Sequence, residues 1–117
     1  MQANTILSPI EQALNQIFAE IPNLLIREKA IGIEGVYQVI FTNINYPWFV
    51  VIRENGCTTH QGEHENPIVT MRVSCEDFVA IVRGQMNETL ALMTKKMKLE
   101  GNILQAIKYS KAFRKIE

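Results

Sequence analysis

A chain of 117 residues with zero formal net charge is sized for one domain, 1–117, burying on the order of 65% of its unfolded surface. Its two cysteines, Cys57 and Cys75, are too few for a disulfide framework and lack Cys-x-x-Cys spacing, which points to reduced thiols and a cytoplasmic protein. The longest apolar run, Trp48 to Ile52, is far too short to span a bilayer, and no basic region followed by an apolar block opens the chain, so no signal peptide is read.

Ser8-Pro9-Ile10-Glu11 is a capping box with proline at the first helical position. Ile10, Ala13, Leu14, Ile17, Phe18 and Ile21 follow at helical spacing. They give the helix one apolar stripe for packing on a sheet, or else for pairing with a second copy. Pro22-Asn23 is expected to end or kink it, and Leu24 to Ala30 reads as a second short helix ending near Gly32. Three strands should follow. Tyr37, Val39 and Phe41 alternate with Gln38, Ile40 and Thr42. Trp48 to Arg53, apolar on both faces, suits an inner strand. Cys57 to Gly62, short and polar, suits an edge. Asn43 to Pro47, Glu54 to Gly56 and Glu63 to Pro67 are the intervening turns and loop.

The stretch from Ile68 to Gly101 organises the rest. Val69, Met71 and Val73 alternate with Thr70, Arg72 and Ser74, the pattern of a half-buried strand. Ser74 and Asp77 form a helix-start signature before Phe78, Ile81 and Val82, and Gly84 sits where a helix-ending glycine belongs. Asn87 caps a short helix carrying Leu90 and Met93. The period then returns to two, with Met97 and Leu99 inward and Lys96, Lys98 and Glu100 outward. Gly101-Asn102 breaks that strand and opens a last helix, Ile103 to about Lys115. This helix is expected to turn Ile103, Leu104, Ala106, Ile107 and Phe113 to the sheet or to a cavity. Three antiparallel strands, a helical crossover and two more strands make an α+β domain: a five-stranded, mostly antiparallel (mixed) sheet with helices packed on one face.

Charge is unevenly spread. Residues 95–117 hold seven basic residues against Glu100 and Glu117. Lys108, Lys111 and Lys115 recur at helical spacing, so a transient contact with anionic membrane is expected. His60 and His64 are four apart, but Gly62 breaks the segment and no third histidine exists, so no metal site is read. Cys57 near His60 lacks an orienting group, and no catalytic residue is assigned. No phosphate-binding glycine loop occurs. Tyr37, Phe41, Trp48 and Phe49 lack the basic neighbours that nucleic-acid stacking needs, so they read as core and no nucleic-acid partner is expected. No cofactor is expected either.

The order and spacing of Ser74-Cys75-Glu76-Asp77-Phe78, Gly84-Gln85-Met86 and Lys96-Met97-Lys98-Leu99-Glu100-Gly101-Asn102 resemble the sterol carrier protein 2 family. Fainter echoes lie in Gly35-Val36-Tyr37-Gln38-Val39 and Trp48-Phe49-Val50-Val51. The resemblance covers about residues 33–115. It departs at Gln85, where family members often carry lysine. It also departs at the closing Arg114-Lys115-Ile116-Glu117, unlike the peroxisomal Ser-Lys-Leu signal of several relatives, which again favours the cytoplasm. The resemblance implies an apolar tunnel between the sheet and the later helices.

Read with that resemblance, Met71, Met86, Met93 and Met97 suit the pliable wall of a lipid site. The expected function is non-enzymatic binding, and transfer, of an acyl chain, sterol-like or isoprenoid lipid. The expected wall is Phe78, Val82, Met86, Leu92, Met93, Met97, Leu104, Ile107 and Phe113. Roughly ten buried methylenes at about 0.8 kcal/mol each give about 8 kcal/mol, near the about 8.2 kcal/mol of a micromolar affinity. Ordering costs lower this, so an exchangeable ligand is expected. The alternative is an interaction module whose apolar groove takes a partner protein or a second copy, as a homodimer. A small enzyme acting on an apolar substrate is the weakest reading.

Overall fold

The computed structural model describes residues 7–116. In chain order the elements are α1 (Pro9–Leu24), a single 3-10 turn (Arg27–Lys29), β1 (Gly35–Phe41), β2 (Trp48–Arg53), β3 (Gly56–Gln61), β4 (Val69–Val73), α2 (Cys75–Val82), α3 (Glu88–Met93), β5 (Met97–Gly101) and α4 (Ile103–Ser110). The sheet order is β3-β2-β1-β4-β5. Every neighbouring pair is antiparallel except β1 and β4, which are parallel. The fold is α+β with a mixed five-stranded sheet, β2 lying inside it and β3 at an edge.

Local signals set the helix starts. The Ser8 hydroxyl accepts from the Glu11 N–H, and the Glu11 carboxylate accepts from the Ser8 N–H. Ser74, Asn87 and Asn102 cap α2, α3 and α4 by accepting from Asp77, Leu90 and Gln105. Gly84, at φ 75°, ends α2 in the left-handed region.

Long-range pairing decides the differences from the sequence reading. Helix α1 runs through Pro22 to Leu24 instead of stopping at it. Proline cannot donate to the carbonyl four residues back, which is that of Phe18. The Thr59 hydroxyl on β3 donates to this carbonyl at 2.7 Å and replaces the missing bond. Thr59→Val, which keeps shape and removes the donor, is expected to cost about 1–2 kcal/mol, while Thr59→Ser stays near wild type; urea denaturation of the three proteins checks this.

The segment 24–30 is not a second helix. Leu25 bridges Phe113 in antiparallel fashion, Ile26 N–H donates to Ala112 and Arg114 N–H to Leu24. The same pairing stops α4 at Ser110 and leaves the last residues extended. The crossover is not helical either. Strands β3, β1 and β4 all run one way, so residues 62–68 must carry the chain back along the sheet before β4 starts. This loop is held where His64 N–H donates to the Gln38 side-chain oxygen at 2.7 Å and Ile68 N–H to Val36, on the face away from the helices. The side-chain oxygen of buried Gln38 thereby gains a partner. Helices α2 and α3 instead join β4 to β5.

The helix-covered face has two unlike halves. Under α1 it is solid. Phe18 stacks on Trp48 at 4.4 Å and on Phe78 at 5.3 Å, and Phe78 meets the Phe41 ring edge-on at 5.4 Å. The stripe of Leu14, Ile17, Phe18 and Ile21 is buried there, which settles its role as packing on the sheet. Under α3 and α4 the face is hollow.

Candidate functional site

Strand register lays the floor of the hollow. Val39, Met71 and Leu99 lie abreast on β1, β4 and β5, with Tyr37 and Val69 in the next row. Short helices wall it: Glu88, Thr89 and Leu92 from α3, and Ala106, Ile107, Tyr109 and Ser110 from α4. Between them is a cavity of about 290 Å³, at the low end of ligand sites, about 300–1,000 Å³, and well above the about 150 Å³ that stays dry and binds benzene. A second pocket of about 70 Å³ lies toward α1 and α2, bounded by Ile21, Leu24, Ile81 and the Phe113 ring among others. The two share Val39, Met71, Glu88, Tyr109 and Ser110 as a common wall.

Of the residues expected to line a lipid site, Leu92, Met97 and Ile107 border the larger cavity, and Phe78, Val82 and Phe113 the smaller pocket. Met86 packs half-buried against the core. Met93 and Leu104 stand outside both, 73% and 63% exposed. Ile103 also points outward, because the inward stripe of α4 is Ala106, Tyr109 and Ser110. Sequence reasoning missed the floor, Tyr37, Val39, Val69 and Leu99, and two polar wall residues, Glu88 and Tyr109. The alternation of β1 and β4 names the floor once the two strands are known to be neighbours.

The polar groups of the wall are few. Tyr37 donates to the Ile33 carbonyl at 2.7 Å, and burial, with Glu34 adding, pushes its hydroxyl up to about 12. Tyr109 stacks on Tyr37 at 4.3 Å and against Phe113 at 4.9 Å. Burial raises its pKa well above the usual phenol range, and Cys57, Tyr37 and Glu88 push it the same way. The Glu88 carboxylate pairs with Lys115 at 2.8 Å. Lys115 therefore does not extend the α4 lysine face: it lies past the helix end and is held to α3.

Elsewhere, His60 stacks on Phe49 at 4.9 Å and His64 meets the same ring edge-on at 5.2 Å. The two imidazoles thus share one aromatic neighbour, on the face away from the cavity. Among the described residues, no three of His, Cys, Asp and Glu cluster as metal ligands. Burial pushes the Cys57 thiol up to about 11, so it is protonated near neutral pH. No helix among the described residues is long and apolar enough to cross a membrane.

A mixed five-stranded sheet roofed on one face by short helices, with an apolar cavity between, defines the sterol-carrier class of α+β folds. The chain belongs to the SCP-2 sterol transfer family, which it matches over residues 14–114. It is 31% identical over 101 residues to hydroxysteroid dehydrogenase-like protein 2 of Rattus norvegicus, covering 85% of this chain and 19% of that protein. The chain thus spans about a fifth of the length of such relatives. Among solved structures, it resembles palmitated SCP2L2 from Aedes aegypti, with a TM-score of 0.60 and 27% identity over 86% of this chain and 90% of that one. It also shares the fold of a region of the sec-alkylsulfatase Pisa1 from Pseudomonas sp., with a TM-score of 0.77 and 16% identity over 95% of this chain and 17% of that one.

Proposed function

We propose that this chain, 1–117, is a non-catalytic lipid carrier of the cytoplasm. It binds one acyl, sterol-like or isoprenoid molecule in the cavity beneath α3 and α4 and passes it on. The observation that carries this reading is the cavity of about 290 Å³ floored by Val39, Met71, Met97 and Leu99, apolar surface that gains most by covering a hydrocarbon. Family membership and the palmitated state of a relative support it. A bound chain long enough to pass the shared wall joins cavity and pocket into one tunnel, bringing Phe78, Val82 and Phe113 onto the ligand with Leu92, Met97 and Ile107. The two free cysteines support a reducing compartment. The dehydrogenase-like naming of the longer relatives attaches to proteins of which this chain covers a fifth.

Organic-solvent extraction of the purified protein, with mass spectrometry of the extract, tests the reading. A lipid at about one per chain is the expected result. An empty protein that also fails to take up added fatty acid or sterol overturns it. The exposed Met93 and Leu104 beside the cavity carry the second reading, a module whose groove binds a partner protein or a second copy. An empty, dimeric protein would favour that. For the carrier, the same exposed residues, with their lysines, meet the anionic membrane that supplies the lipid.

A further inference from the structure

The Leu25–Phe113 bridge brings together two arginines from distant parts of the chain. Arg27 and Arg114 line one cleft of about 440 Å³, past the end of α1 and beside the β2–β3 turn, with Asn23, Asn55, Gly56 and Cys57. The cleft shares none of its lining with the larger cavity. Arg27 Nη2 donates to the Asn55 carbonyl at 3.1 Å, and Arg114 Nη2 donates to the Asn23 carbonyl at 2.6 Å. Each guanidinium is thus anchored through one N–H group, and its remaining donors are left over. Among the described residues, neither arginine has a carboxylate within ion-pair distance, whereas Arg72 is held by Glu100 and Lys115 by Glu88. No described carboxylate lines the cleft. The Cys57 thiol adds no negative charge, since burial pushes its pKa up to about 11. Two cations bordering one cleft without an anion repel each other, and an anion between them turns that repulsion into attraction.

We propose that this cleft is an oxyanion site that takes the phosphate of a phosphomonoester, held by Arg27 and Arg114 together. It stands apart from the lipid cavity and does not rest on the carrier reading. Charge favours phosphate over carboxylate: a phosphomonoester carries about −1.5 to −2 near neutral pH, which matches two guanidiniums. Its terminal oxygens diverge and accept from donors on two walls, whereas a flat carboxylate is matched by a single guanidinium fork. The Arg114 bond also covers the Asn23 carbonyl in the last turn of α1, which would otherwise repel an anion. Anchoring both forks in advance lowers the ordering cost of binding.

A soluble phosphate ester and a phosphatidic acid head group present the same chemistry, so the test has two arms. The first is calorimetric titration of the full chain at low salt with glycerol phosphate and with acetate. Wild type is expected to bind glycerol phosphate and to take acetate more weakly. Arg27→Gln and Arg114→Gln are each expected to lose about tenfold in glycerol phosphate affinity. Arg83→Gln, which removes the same charge from an exposed residue outside the cleft, should stay at wild type. The second arm is co-sedimentation with phosphatidylcholine vesicles with and without phosphatidic acid. Glycerol phosphate binding that both cleft variants lose supports the site with a soluble ester as sufficient ligand. A response to phosphatidic acid vesicles alone, lost in both cleft variants and kept in Arg83→Gln, supports it with the head group as ligand. Binding to neither probe, equal affinity for acetate, or an equal loss in Arg83→Gln overturns the proposal. So does a lowered melting temperature in the cleft variants with glycerol phosphate binding intact, which would leave the arginines as fasteners of the chain ends.

Discussion

Gly101→Ala is expected to lower the melting temperature by roughly 10–20 °C, from a loss of about 3–5 kcal/mol. Gly101 closes β5 at φ 99°, in the region that L side chains enter at a cost of about 1–2 kcal/mol. The larger part is steric. An added Cβ overlaps the Ile68 carbonyl oxygen and comes within 3.1 Å of its carbon and 3.3 Å of the Val69 Cα. These are backbone atoms that cannot rotate away. The Ile68 carbonyl also accepts from the Asn102 N–H at 2.9 Å, and the Asn102 side chain caps α4. Displacement therefore spreads from the β4–β5 pairing to the helix that walls the cavity, so lipid affinity should fall with stability. Gly32→Ala is the control: φ is 90° there, but nothing lies within 4 Å, so only the backbone cost of about 1–2 kcal/mol applies. Calorimetry of both variants decides, and equal losses would refute the steric argument.

Features written within a few residues of one another were legible in the sequence. The four N-caps, the glycine after α2 and the alternation in β1, β4 and β5 are of this kind, because their partners are three or four positions away or follow a period of two. Features whose partner lies far along the chain were not. The continuation of α1 past Pro22 depends on Thr59 from β3. The extended path at Leu25 depends on Phe113, and so does the early end of α4. The site divides the same way. Leu92, Met97 and Ile107 follow from the spacing of their own elements. The floor depends on β1 lying beside β4, which periodicity cannot state.

Docking on anionic vesicles is expected to weaken on the order of a hundredfold at low salt when Lys96, Lys108 and Lys111 become Gln. The structure moves this expectation from a lysine row on a long helix to the lips of the cavity. Leu92 on α3 and Ile107 on α4 both line the cavity and both reach solvent, 36% and 44% exposed. Ile103 and Leu104 extend the Ile107 side, and Met93 the Leu92 side. Lys96, Lys108 and Lys111 are exposed around them, while the one acidic residue of the wall, Glu88, is neutralised by Lys115. On the proposed carrier reading, apolar lips of this kind would enter the acyl boundary and the surrounding cations would meet the headgroups. Each lysine near an anionic surface contributes about 1 kcal/mol, so three give about 3 kcal/mol, and added salt should erase the difference as the screening length shrinks. Leu104→Glu removes an inserting side chain and adds a repelled charge, so it should reduce binding at every salt concentration while leaving uptake from cyclodextrin unchanged. Vesicle co-sedimentation with and without anionic lipid reads both effects. Equal partition of wild type to neutral and anionic vesicles, or undiminished binding by both variants, would detach the cavity mouth from the membrane and leave the lysines as solvated surface.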